Sequence, residues 1–90
     1  MGTVLIKIKL MPSSPEVNLE EIKEKAKTIV EAGEGTKVRF EEEPIAFGLK
    51  AVIIFLALDE SHDVEPIENN LKELENINSA EIIDVRRAFG

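Results

Sequence analysis

The residues that could do chemistry are few, and none stands in an established catalytic spacing. The sole histidine, His62, lies beside three acids, Asp59, Glu60 and Asp63. Their spacing matches neither a calcium-binding EF-hand loop nor a zinc motif, so we interpret them as a solvated loop. The run Glu41–Glu43 lies in a segment with strand character, where successive side chains point to opposite faces. We interpret this run as charge that protects a sheet edge.

The serines and glycines supply neither a nucleophile nor a phosphate-binding loop. Ser13, Ser14 and Ser61 lack the strand-turn-helix context of a nucleophile elbow, and the glycines form no GxGxxG or GxxxxGK pattern. The sequence therefore predicts a protein with no covalent catalytic residue, no metal site and no cofactor.

Composition favours one globular domain spanning residues 1–90. Apolar residues make up 43% of the chain, which is enough for a packed core. The absence of cysteine excludes disulfides and thiolate metal sites, so we expect a cytoplasmic protein. We also expect no membrane contact, because no apolar run approaches the roughly 20 residues that a membrane-spanning helix requires.

Four segments have the character of strands. The first, TVLIKIKLM, alternates apolar residues with lysine, and the second, TKVRFEEE, alternates until Pro44 ends it. The third, from about Leu49 to Leu58, is apolar at nearly every position, which is typical of a central strand covered on both faces. The fourth is a short β-branched run, Ile82 to Val85, followed by two arginines in a frayed tail.

Two amphipathic helices separate these strands. Asn18 followed by Glu21 resembles a capping box, and Gly33 and Gly35 supply stop signals for the first helix. For the second helix we expect Asp63 as the cap, with a proline tolerated in the first turn. The residues that form one apolar stripe on each helix are Leu19, Ile22, Ala26, Ile29 and Val30, and Val64, Ile67, Leu71 and Leu74.

The element order βαββαβ predicts a ferredoxin-like α+β sandwich. Its antiparallel sheet would have the strand order 4-1-3-2, with both helices on one face. This order makes the apolar third strand interior and the charged second strand an edge, as their compositions require. The fold by itself leaves the function open, because such domains bind RNA, amino acids, metals and proteins.

Direct binding of nucleic acid is disfavoured. With 18 acidic and 11 basic residues the net charge is −7, which repels phosphate backbones unless the basic groups gather on one face. RNA-binding domains of this topology also need aromatic residues on the exposed faces of the first and third strands. Here those two strands offer only Phe55.

The segment EEEPIAFGLKA, Glu41 to Ala51, is the most distinctive part of the chain. Together with MPSSPEVNLEEIKEK near the start and SAEIIDVRR near the end, it resembles the archaeal elongation factor 1-beta family over essentially the whole chain, and PIAFGLK is its specific part. That family corresponds to the C-terminal guanine-exchange domain of the eukaryotic factor. The resemblance implies a guanine-nucleotide exchange factor for elongation factor 1-alpha, the GTPase that delivers aminoacyl-tRNA to the ribosome in protein biosynthesis.

The resemblance also implies where the partner binds. Phe47, Gly48 and Lys50 belong to the segment that docks on the GTPase in the family. Arg87, next to Arg86, aligns with a basic residue that approaches the magnesium and phosphate region of the bound nucleotide. This sequence departs from the eukaryotic members there, because they carry lysine and end sooner, whereas this chain continues through Ala88, Phe89 and Gly90.

Strand parity predicts a second contact surface. If alternate residues from Val52 to Leu58 face the helices, then Ile53 and Phe55 lie on the uncovered side with Leu5 and Met11. We expect an exposed apolar patch there, and such patches mark a partner surface or weak self-association.

Three alternatives remain open from the sequence. The chain could be a small-ligand regulatory domain of the amino-acid-sensing type, which would bind its ligand as a dimer. It could also be a structural subunit that binds the GTPase without accelerating exchange. Locally, Phe47 could fold back over the open end of the core while Gly48 supplies an unusual backbone angle.

Overall fold

The sheet and its helices follow the predicted order. The structure is a computed structural model that describes residues 2–88, so Met1, Phe89 and Gly90 lie outside the described residues. Its elements are β1 (Thr3–Pro12), α1 (Leu19–Ala32), β2 (Thr36–Pro44), β3 (Lys50–Asp59), α2 (Glu65–Lys72) and β4 (Ile77–Ala88). Neighbouring strands pair antiparallel in the order β2-β3-β1-β4. The ferredoxin-like fold and its strand order are thereby confirmed.

The core lies between one face of the sheet and the two helices. In β1 the alternating residues Ile6, Ile8 and Leu10 are buried, and the register of the sheet sets them beside alternate residues of β3. The buried residues that complete this cluster are Val52, Ile54, Leu56 and Leu58 from β3, Ile22, Ala26 and Val30 from α1, Ile67 and Leu71 from α2, and Ala80 from β4. The apolar stripes predicted for both helices therefore face the sheet.

The first helix begins as its sequence predicts. The Asn18 side chain accepts hydrogen bonds from the backbone N–H groups of Glu20 and Glu21, at 3.0 and 3.3 Å. The Glu21 carboxylate lies 3.1 Å from the ammonium of Lys25, the favourable spacing for a pair four residues apart. The cap and this ion pair stabilise the solvent-exposed side of α1. The apolar stripe of α1 packs on the sheet.

Two boundary predictions were wrong. The cap of α2 is Val64, which makes no side-chain hydrogen bond, and Asp63 instead accepts from the Glu65 N–H at 3.0 Å one position earlier. The fourth strand is twelve residues long and contains Arg86 and Arg87, which were expected in a frayed tail. The strand extends this far because β1 offers it a partner along its whole length.

Neither helix within residues 2–88 combines the length and the apolar content needed to cross a membrane.

Tight packing, rather than backbone angle, explains the glycine at position 35. In the turn after α1 the left-handed residue is Glu34, with a φ of 73°. Gly35 is buried, and a Cβ built on it would lie 2.4 Å from a methyl carbon of Val30 and 3.3 Å from one of Leu56. The chain therefore passes this point too close to the core to carry a side chain.

An ion-pair bridge ties α1 to the edge strand β2. The Lys23 ammonium lies 2.8 Å from one carboxylate oxygen of Glu42 and 3.4 Å from Glu20. The hydrogen bond from Lys23 holds the pKa of the Glu42 carboxyl below its ordinary value, and the same bond raises the pKa of Lys23. The bridge is therefore fully charged at neutral pH.

We expect Gly35→Ala to destabilise the protein by about 1–3 kcal/mol, because the added methyl overpacks a region that has no room for it. Urea denaturation followed by circular dichroism measures the free energy of unfolding. Gly2→Ala is the matched control, since its Cβ would meet only the mobile carboxylate of Glu60. Equal stability of the two variants would contradict the packing argument.

We expect the stabilising effect of Glu42 to depend on pH. Because folding lowers the pKa of Glu42, its contribution is present above the unfolded-state pKa and is lost as the pH falls through the folded-state pKa. Glu42→Gln should therefore lower the free energy of unfolding at neutral pH but not at about pH 3. Glu24→Gln removes the same charge outside the bridge and is the control. A deficit for Glu42→Gln that persists unchanged in acid would rule out the charge mechanism.

Candidate partner-binding site

The segment between β2 and β3 forms a tight turn at one end of the sheet. The Leu49 N–H donates to the Ala46 carbonyl at 2.9 Å, and the Ile45 N–H donates to the Leu49 carbonyl at 2.8 Å. The two central residues, Phe47 and Gly48, have φ values of 55° and 80°. Positive φ at both central positions is what a type I′ turn requires, and Asn-Gly is its preferred pair. Phenylalanine is therefore the unexpected residue.

Phe47 projects fully into solvent. Its exposed fraction is 97%, so the alternative in which it folds back over the core is wrong, whereas the unusual backbone angle of Gly48 is confirmed. A bulky residue in the left-handed region costs on the order of 1–3 kcal/mol and is concentrated at functional sites. Phe47 contributes no burial that offsets this cost. We name the turn Ala46–Leu49 and the adjacent Lys50 the aromatic end of the sheet.

At the aromatic end, charged side chains of the β2–β3 hairpin lie close to one another and to a charged side chain of α1. Lys50 begins β3, pairs in register with Pro44, and is exposed. Its ammonium lies 4.0 Å from the carboxylate of Glu42, whose other oxygen is bound by Lys23. Because this contact is at the limit of an ion pair and half exposed, Lys50 is available to a partner.

The two arginines of β4 lie on opposite faces of the sheet. Arg87 pairs with Val4 on the helix side, and its guanidinium lies 3.2 Å from the carboxylate of Glu60. Arg86 pairs with Leu5 on the open side and donates from Nε to Asp84 at 2.9 Å. Adjacent arginines in one strand therefore serve different surfaces. We name the region around Arg87 and Glu60 the basic end of the sheet.

The structure does not bring the predicted contact residues into one cluster. Arg87 is aligned through Val4 with Leu58, whereas the turn precedes Lys50 at the other end of β3. Eight residues of strand separate these positions, which corresponds to roughly 26 Å. A partner that touches both ends must extend along the whole sheet.

Of the exposed patch expected on the open face, Leu5 is exposed, whereas Ile53 is buried and Phe55 is half-buried. Ile53 is only 6% exposed, because Lys9 and Glu41 flank it on the neighbouring strands. Phe55 is half-buried between Lys7 and Arg39, whose cationic groups lie 5.2 and 5.1 Å from the ring centroid. The parity was predicted correctly, but long charged side chains cover the apolar surface. Partner contact of Ile53 and Phe55, and weak self-association through this face, stay predictions.

The acids near His62 are each engaged locally. Asp59 accepts from the Ser61 N–H at 2.9 Å and from the Ser61 hydroxyl at 2.7 Å, and these bonds lower the pKa of its carboxyl. Glu60 faces Arg87, and Asp63 bonds the start of α2. Within residues 2–88, no group of three or more histidine, cysteine, aspartate or glutamate side chains is arranged to hold a metal ion.

A groove on the open face was not predicted from the sequence. Lys7, Lys37, Arg39 and Arg86 line a depression of about 420 Å³ there together with Phe55, and Lys7 and Arg39 lie over its ring. A signal was present, because Lys7 and Arg39 stand at the parity of the open face of their strands. Only the register of the sheet brings these cations from three strands to the same place.

Comparison with known proteins indicates the same family as the PIAFGLK segment. Residues 5–88 match the family model of the EF-1 guanine nucleotide exchange domain. The chain is 44% identical over 89 residues to an elongation factor 1-beta of Methanocaldococcus jannaschii, covering 98% of this chain and 100% of that protein. It is 42% identical over 88 residues to an elongation factor 1-beta of Methanosarcina barkeri, covering 97% of this chain and 99% of that protein.

These matches extend over nearly all of the described sheet and both helices, and the relatives that carry them are archaeal translation factors of the same length. The aromatic turn and the basic strand end both fall inside the matched region. The chain therefore belongs to the family of EF-1 guanine nucleotide exchange domains, which act in translation elongation.

Proposed function

We propose that this protein accelerates the release of GDP from elongation factor 1-alpha, so that GTP can replace it. The chain acts as one exchange-factor domain, in the cytoplasm where translation takes place. It performs no covalent chemistry and needs no cofactor of its own. Family membership favours this function over the amino-acid-sensing alternative.

The proposed mechanism is differential affinity. A factor that binds the nucleotide-free GTPase more tightly than the GDP-bound form must, by linkage, weaken GDP binding by the same factor. Magnesium and the phosphate-loop contacts are the strongest local electrostatic interactions that hold a guanine nucleotide. A basic side chain that competes for this region therefore speeds release.

The single observation that carries the proposal is the exposed, left-handed Phe47. Folding alone would favour asparagine or glycine at this position. An aromatic ring held on a short, rigid turn loses little conformational freedom when a partner binds it, and it offers a large apolar surface. We propose that Phe47 fills an apolar pocket of the GTPase, with Gly48 fixing the turn and Lys50 contributing a charged contact beside it.

At the basic end, we propose that Arg87 reaches toward the magnesium and phosphate region of the GTPase. Its ion pair with Glu60 is largely exposed, and such a pair is worth about 0–1 kcal/mol. Arg87 can therefore exchange Glu60 for a partner at little cost. Because the two ends lie roughly 26 Å apart, Phe47 anchors the complex while Arg87 acts at the nucleotide.

The test is the release of a fluorescent GDP analogue from the cognate elongation factor 1-alpha in excess GDP, measured with and without this protein. We expect the wild-type protein to increase the rate of release. An unchanged rate at saturating concentrations of the protein would reject the function for that partner.

We expect Phe47→Asn to separate stability from function. The variant should unfold at higher urea concentration, with a gain of about 1 kcal/mol, because asparagine tolerates the left-handed region and no buried contact is lost. Its acceleration of GDP release should fall. Ile83→Asn, which replaces an apolar residue that is 45% exposed and lies in the edge strand β4, away from the turn, is the control for exchange. Full activity of Phe47→Asn would show that the ring is not an anchor.

We expect Arg87→Ala to lower the maximal rate of GDP release by about tenfold, equivalent to one lost charge-assisted contact. Rates are measured at saturating factor, so that weaker binding does not contribute. Glu60→Gln removes the intramolecular partner of Arg87 but keeps the guanidinium, and it should retain the wild-type rate. If Glu60→Gln is as slow as Arg87→Ala, the arginine acts through its ion pair and not on the nucleotide.

A further inference from the structure

The open face of the sheet is divided into two halves of opposite charge. Toward the basic end lies the groove, which holds Lys7, Lys37, Arg39 and Arg86 but only one carboxylate, that of Asp84. Four of the eleven basic residues therefore meet at one place in a chain of net charge −7. Toward the aromatic end the same face carries Glu41, Glu43 and Glu81 at registers beside Ile53, Ala51 and Lys9.

The cations of the groove are held without being neutralised. Lys7 and Arg39 are the cross-strand neighbours of Phe55 and lie over its ring in cation–π contacts. Lys37 stands where the register shifts between Thr36 and Arg39. Within residues 2–88, these three side chains take part in none of the ion pairs, whereas Arg86 binds Asp84. The groove therefore presents three positive charges that have no ion-pair partner within residues 2–88, and two of them lie over the half-buried ring of Phe55.

The position of the groove relates it to the two ends of the proposed interface. Phe47 lies at the β2–β3 side of the sheet and Arg87 lies on β4, the opposite edge, so a partner that reaches both must cross the sheet diagonally. The Arg87 side chain lies on the helix side, but its strand β4 is an edge of the sheet, and the adjacent Arg86 lies on the open side and lines the groove. A partner that reaches Arg87 around this edge therefore also meets the groove.

We infer that the groove receives an acidic surface of the same GTPase that Phe47 and Arg87 contact. This inference rests on the proposed function and identifies the surface by which the partner lies across the sheet. Complementary charge at this place orients the encounter and fixes the register of the complex.

The observations favour a folded protein over a nucleic acid at the groove. A single strand of RNA needs an open aromatic face for base stacking, and Lys7 and Arg39 cover the ring of Phe55. A phosphate backbone that continued along the face would also meet the acids around Glu41. A protein surface can carry acidic and basic groups in the matching order, whereas a polyanion cannot.

The test compares two double variants with the same change in net charge. Lys37→Glu with Arg39→Glu reverses the groove, and Lys27→Glu with Lys72→Glu places the same charges on the exposed sides of the two helices. Urea denaturation establishes that both are folded. Isothermal titration calorimetry gives the Kd for nucleotide-free elongation factor 1-alpha, and release of fluorescent GDP gives the maximal exchange rate.

We expect the groove variant to raise the Kd by about tenfold or more, with a weaker dependence on NaCl than wild type. The helix variant should bind within about twofold of wild type, because its charges lie away from the path. If both variants bind like wild type while wild type accelerates release, the groove inference is overturned and the proposed function stands. If wild type neither binds nor accelerates release, the proposed function fails and the inference fails with it.

A further measurement distinguishes the nucleic-acid alternative. Fluorescence anisotropy with a labelled oligouridine strand at physiological salt reports direct RNA binding. Loss of RNA binding in the groove variant, together with unchanged affinity for the GTPase, would overturn the inference and assign the groove to nucleic acid. Absence of RNA binding by wild type, with a weakened GTPase complex in the groove variant, supports it.

Discussion

The alternation of side chains along β1 controls the rest of the structure. Ile6, Ile8 and Leu10 must face the helices, because a slip of one residue would expose the entire apolar face of the strand. This choice places Lys7 and Lys9 on the open side, and the register with β3 then sets Lys7 beside Phe55. A constraint that originates in core packing thus decides which charges reach the outer surface.

A β-bulge in β4 determines which face of the sheet each residue at the basic end occupies. Ile8 pairs with Ile82 and Lys7 pairs with Asp84, so Ile83 is an extra residue that interrupts the alternation. Residues beyond the bulge change faces, which sends Arg86 to the open side and Arg87 to the helix side. Without the bulge the two arginines would exchange places, and a different one would stand beside Glu60.

At the aromatic end, by contrast, the sequence departs from the residue preference of the turn. Every element of the core agrees with its sequence pattern, whereas the turn holds a phenylalanine at a left-handed position. Departures of this kind from local consistency are expected where a site serves binding and not folding. Ile53 and Phe55 follow the parity of their strand, and charged side chains of the neighbouring strands cover much of their surface.

The sequence by itself determined the elements, the strand order and the family, because period-two and helical patterns are local and the PIAFGLK segment is specific. It also determined that Phe47 stands in a turn. Only the tertiary structure decided that Phe47 and Arg87 lie at opposite ends, that Arg86 and Arg87 serve opposite faces, and that cations from three strands meet in one groove. These outcomes depend on strand register and on a bulge, which arise from pairing between segments distant in the chain.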